Sequence, residues 1–126
     1  MQDVNFTWPQ GEDMTIELRY KEGPTPAKSL PVNLSGYSAS MALVNPGSPQ
    51  TPLVTLGTVT GEIVLSEGVP NIVIRLARAL TNTPLTPGAY SYDLFIRNDN
   101  MGSGGTAVKI MEGTINVRRS ITPQWP

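Results

Sequence analysis

The sequence predicts an all-β protein, an antiparallel β-sandwich, on three observations. Apolar and polar residues alternate in several short runs, Gly and Pro break those runs without a fixed period, and almost no stretch has a helical pattern. The chain has 126 residues, 39% hydrophobic and 15% charged, with 12 Gly and 12 Pro. That length fits one domain, with a core large enough to need neither metal nor disulfide. About eight short strands with turn signals between them argue for a sandwich or barrel.

The elements follow in chain order. Val4–Trp8 reads as a weak first strand. Met14–Tyr20 is clearer, with apolar even positions and polar odd ones, the pattern of a strand with one buried and one wet face. Gly36–Val44 repeats it, placing Tyr37, Ala39, Met41 and Leu43 on one side. Weaker strands are expected over Pro52–Leu56 and Val59–Leu65, and a clear one over Asn71–Leu76. Ala77–Thr83 looks helical but is too short for more than one or two turns. In Gly88–Arg97, Tyr90, Tyr92, Leu94 and Ile96 alternate with polar residues, and Phe95 is an exception on the polar face. Thr106–Glu112 and Gly113–Arg118 complete the strands. Gly23-Pro24-Thr25-Pro26, Asn45-Pro46-Gly47-Ser48-Pro49 and Glu67-Gly68 carry turn chemistry. Asn98–Gly105 is the expected tip of a hairpin. The expected core includes Tyr20, Tyr37, Met41, Ile74, Tyr92, Leu94 and Ile115.

The composition removes several functions. With no His and no Cys, Ser-His and Cys-His nucleophiles and the common zinc sites are ruled out. Ten carboxylates remain, but Glu12, Asp13, Glu17, Glu62, Asp93 and Glu112 fall on wet faces or turns, so the chain is expected not to be an enzyme and to need no cofactor or metal. Asn98, Asp99 and Asn100 could offer oxygen ligands to calcium, but that loop lacks the acidic count and terminal Glu of a calcium loop and the Gly-Lys-Ser/Thr ending of a phosphate loop. Net charge is −1, and no basic cluster exceeds Arg118-Arg119, so no nucleic-acid partner is expected. No apolar run approaches the roughly 18–20 residues of a membrane span, and MQDVNFTWPQ does not read as a signal peptide. The lack of Cys is compatible with folding in a reducing cytoplasm.

Contact residues are therefore the remaining candidates. Trp8 and Trp125, the two tryptophans, and Arg118 and Arg119 are the expected interaction residues. The whole chain, 1–126, is read as one domain, with extended arms at about 1–10 and 120–126 available to a neighbour. Thr51–Leu56 is an expected edge strand with no Lys to discourage pairing. Leu85-Thr86-Pro87-Gly88-Ala89-Tyr90 resembles the tyrosine corner of immunoglobulin-like sandwiches, in which a core Tyr bonds backbone a few residues upstream. The fold is expected to be immunoglobulin-like on that account.

Four segments in order carry a family resemblance: Phe6-Thr7-Trp8 with Gly11; Val32-Asn33-Leu34-Ser35-Gly36-Tyr37-Ser38-Ala39; Pro87-Gly88-Ala89-Tyr90-Ser91-Tyr92-Asp93-Leu94; and Met111-Glu112-Gly113-Thr114-Ile115-Asn116-Val117. Together they resemble the small β-sandwich domain of tailed-bacteriophage virion proteins, similar to the N-terminal domain of siphophage upper baseplate proteins, over Phe6 to about Val117. The resemblance implies a structural protein of the virion, made in the host cytoplasm, that assembles with copies of itself as a homo-oligomer or with other virion proteins. It transfers no catalytic or ligand residues. Such baseplate proteins usually continue into a coiled-coil or receptor-binding region, whereas this chain stops at Pro126. The expectation is a domain on the tail, at the head–tail joint or on the capsid as decoration. The alternative is a carbohydrate- or receptor-binding module.

Overall fold

Alternation of apolar and polar residues builds two main sheets in the computed structural model, which describes residues 2–22, 30–67, 70–81, 85–99 and 106–120. The strands are β1 (Gln2–Asp3), β2 (Phe6–Pro9), β3 (Met14–Leu18), β4 (Lys21–Glu22), β5 (Leu30–Pro31), β6 (Tyr37–Val44), β7 (Pro52–Gly57), β8 (Ile63–Leu65), β9 (Ile72–Leu76), β10 (Gly88–Asn98) and β11 (Ala107–Arg118). The large sheet runs β1-β11-β10-β6-β7, with β2 also on β11; the smaller runs β3-β9-β8, and β4 pairs with β5.

Inward residues of both sheets form one hydrophobic cluster. Met41, Leu43, Leu94 and Ile115 come from the large sheet, and Ile16, Ile63, Ile72 and Ile74 from the small one. Of the seven expected core residues, Met41, Ile74, Tyr92, Leu94 and Ile115 are buried. Tyr20 and Tyr37 are only half-buried, because Tyr20 lies beyond the end of β3 and Tyr37 is the first residue of β6.

The structure differs from the sequence reading in three places. First, pairing is not wholly antiparallel, because β1 and β2 both run parallel to β11. Residues 2–9, read as part of an extended arm, are thus stitched into the sheet. Gln10 continues the seam, with its N–H on the Arg118 carbonyl at 2.8 Å and its carbonyl accepting from the Ser120 hydroxyl at 2.7 Å. Second, the strand expected over Val59–Leu65 starts only at Ile63. Thr58–Gly61 turns instead, with Gly61 at φ 89°, a left-handed conformation that Gly adopts at little cost. Third, the two segments expected over Thr106–Glu112 and Gly113–Arg118 are one strand. The short helix expected within Ala77–Thr83 is a single 3-10 turn, Arg78–Thr81, in keeping with the one or two turns read there.

Two buried polar side chains lock the irregular segments to the sheets. Asn71 accepts from Tyr20 N–H at 2.8 Å and donates to the carbonyls of Tyr20 at 2.9 Å and Val32 at 2.8 Å. One amide thereby satisfies backbone on both sides of the β4–β5 pair, as buried backbone groups require. Thr81 bonds Gly11 N–H at 2.9 Å and donates to the Arg78 carbonyl at 2.6 Å, which fixes the turn after β2.

Candidate functional site

The large sheet has two borders, and their local chemistry differs. Along β11, the parallel ladder breaks between β1 and β2, and specific groups fill the gap. Val4 N–H donates to the Glu112 carbonyl at 2.9 Å, and Asn5 Oδ1 accepts from Thr114 N–H at 3.0 Å. Tyr92 stands across from Gly113 on the neighbouring strand and donates its hydroxyl to the Val4 carbonyl at 2.6 Å. Gly113 is required for this approach, because a Cβ there would collide with the Val4 carbonyl. Burial first, and Asp3 second, push the Tyr92 hydroxyl up to about 12.

The other border is β7, which pairs only with β6 among the described residues. No charged residue lies between Lys28 and Glu62, so neither β6 nor β7 carries one. Thr58 N–H donates to the Ala39 carbonyl at 3.2 Å, which makes Ala39 and Thr58 a bonded pair. In an antiparallel ladder, bonded and unbonded pairs alternate. Leu56, opposite Met41, therefore bonds β6, while Thr55, opposite Ala42, turns its N–H and C=O away from the sheet. Leu53 and Val59 add exposed apolar surface, Val59 at 95% exposure.

Beside this border a cleft of about 550 Å³ opens, lined among others by Ser38, Ser40, Thr55, Val59, Phe95 and Arg97. Register explains the grouping, since Gly57, Ser40, Phe95 and Lys109 are successive cross-strand partners on β7, β6, β10 and β11. Lys109 Nζ lies 5.7 Å from the Phe95 ring centroid, 3.4 Å from the Glu112 carboxylate and 3.9 Å from that of Asp93. Arg97 Nε donates to Asp99 Oδ1 at 2.6 Å, and the Ser38 hydroxyl donates to the other Asp99 oxygen. The Arg97 bond, helped by Ser38, holds the Asp99 carboxyl below its usual range. Hydroxyls, an aromatic ring and a guanidinium neutralised by Asp99 suit contact with an uncharged surface.

The four residues expected to make contacts divide as follows. Trp8 is corrected: it is fully buried, with Nε1 donating to the Glu12 carbonyl at 2.6 Å. It faces inward opposite Val117, which is also buried, so this indole is core and not an exposed platform. Arg118 and Arg119 are exposed at the far end of β11. They lie roughly 20 Å along β11, at about 3.3 Å per residue, from Glu112, which is level with Thr55 of the cleft. Trp125 lies outside the described residues, as do Ile121–Pro126 and Asn100–Gly105 of the hairpin tip. Asn98 N–H bonds the Thr106 carbonyl at 3.1 Å and closes that hairpin. Sequence reading missed the cleft, although Phe95, breaking the alternation of β10, was its signal.

In comparisons with known proteins, no family model and no curated sequence matches the chain.

Proposed function

We propose that this chain is a non-enzymatic structural protein of a tailed-phage virion. It acts through contacts with other virion chains on the tail or baseplate, at the head–tail joint, or as capsid decoration. The observation that carries the reading is that the segments bearing the resemblance are the ones that frame the fold. Trp8, Leu34, Tyr90, Tyr92, Leu94 and Ile115 from those segments are all buried, and Gly113 admits Val4. The immunoglobulin-like character belongs to the same proposal. It is supported by Tyr90, whose hydroxyl donates to the Thr86 carbonyl at 2.5 Å, the bond that defines a tyrosine corner. Mass spectrometry of purified particles should find the chain at a fixed copy number per virion. Its absence from particles whose host cells express it would overturn the reading.

One observation favours a second reading, a carbohydrate- or receptor-binding module. Phe95 is 38% exposed and lies in a cleft rimmed by hydroxyls, where a neutral sugar could stack and hydrogen-bond. Neutral oligosaccharides should then shift the Phe95 and Ser40 resonances in a heteronuclear NMR titration, whereas unchanged spectra at millimolar sugar would remove this reading.

A further inference from the structure

We infer that β7 is a self-pairing edge, and that two copies of this chain join antiparallel through it about a two-fold axis at Thr55. The inference rests on the proposed role in protein contacts and names the surface and the partner.

Soluble proteins blunt exposed edge strands with charges, bulges or covering segments, because unpaired backbone recruits other strands. The opposite border of this sheet is covered by β1 and β2, with Asn5 and Tyr92 closing the gap. Among the described residues, such devices sit only at the two ends of β7: Pro52 and a bulge at Leu53, which the ladder skips between Val54 and Pro52, at one end, and the Glu62 carboxylate bonded to the Gly57 backbone at the other. Thr55 keeps an N–H and a C=O pointing outward.

The choice of a second copy follows from the residues around Thr55. An antiparallel pair about a two-fold axis is isologous, so every contact occurs twice and the surface must complement itself. With Thr55 opposite its own copy, the two residues exchange both backbone bonds, and no like charges meet because the stretch has none. Two residues away, Leu53 of one copy stands opposite Gly57 of the other. Leu53 is 38% exposed, too apolar to be left in water without cost. Gly57 has no side chain and lines the cleft beside Ser40 and Phe95. The knob and the gap are thus in register on the same strand and are exchanged by the axis. The pairing stretch is also bounded. Pro52 has no N–H at one end, and at the other the Gly57 carbonyl already accepts from the Thr60 hydroxyl at 3.4 Å. A foreign strand would find the same backbone, but nothing in β7 selects for one as Leu53 and Gly57 select for a copy.

Thr55 is exposed, so a charge there leaves the fold intact and loads the axis with two like charges. Analytical ultracentrifugation of the full chain should show a concentration-dependent dimer. Thr55→Lys and Thr55→Glu should each weaken it roughly tenfold or more, and the two variants mixed should dimerise again, more weakly as salt rises. A wild type that stays monomeric at millimolar concentration, or a dimer unaffected by either variant, would overturn the inference. So would a failure of the mixed variants to pair while each alone is monomeric and folded. Finding such a monomer in purified particles would sink the two-fold pairing alone and leave the virion reading in place.

Discussion

The two borders of the large sheet meet the same hazard with opposite means. On the β11 side, two short parallel strands, one Asn side chain, one buried Tyr hydroxyl and one obligatory Gly are spent on leaving little backbone unpaired. On the β7 side, an uncharged strand ends in a turn that exposes Val59. Closing an edge requires tertiary devices that must all be present together. Leaving one open requires only their absence, and it makes that border available for contact.

Substitutions separate the two borders by experiment. Leu94, in the central strand β10 and fully buried, supports both borders. Leu94→Ala should cost roughly 2–5 kcal/mol in chemical denaturation, and a much smaller loss would mean the shared core is looser than described. Gly113→Val attacks the closed border alone. Its side chain must displace the Val4 carbonyl, at a cost of about 3 kcal/mol, and the β1 amides should lose protection before the rest of the sheet. A neutral result would show that the border is not closed by that close approach.

Tyr92→Phe is milder and removes one buried hydrogen bond, worth about 1 kcal/mol at neutral pH. It also changes the alkaline limb. The folded-state value of Tyr92 is raised from 10.0 to about 12, so its contribution is complete below pH 10 and is lost as pH rises through 12. Wild-type stability should fall across that window, and Tyr92→Phe should fall less. Equal slopes would contradict the burial of this hydroxyl. The smallest effect on folding belongs to the open border, where Thr55→Lys should shift monomer stability by no more than about 0.5 kcal/mol, as read from denaturant midpoints.

Much of this architecture was legible in the sequence, and the exceptions share a cause. β3, β6, β9 and β10 followed from alternation, because each has one face on the common core. Thr51–Leu56 was recognised as an edge from its lack of charge. Trp8 was misread although Val4, Phe6 and Trp8 alternate with Asn5 and Thr7, because a short run at the chain's start does not say whether its apolar face meets the core or a neighbour. The place of residues 2–9 is set by pairing with β11, over 100 residues away, which no local pattern reports. Val59 was assigned to a strand, but Gly61 turns the chain there. Asn71 gave no signal, since a polar residue that bonds three backbone groups looks like any other Asn until the fold assembles. The cleft is likewise a product of register, foreshadowed only by Phe95.

Amide hydrogen exchange of the full chain, compared between dilute and concentrated samples, tests the contrast between the borders most directly. The Val4 and Thr114 amides, bonded to Glu112 and Asn5, should be protected at every concentration. The Leu56 amide, directed at β6, should behave the same way. The Thr55 amide should exchange at the rate of an unstructured residue when dilute and slow markedly as copies associate. Protection of Thr55 in the dilute monomer, or fast exchange that concentration does not change, would contradict an open edge that is closed by a second copy.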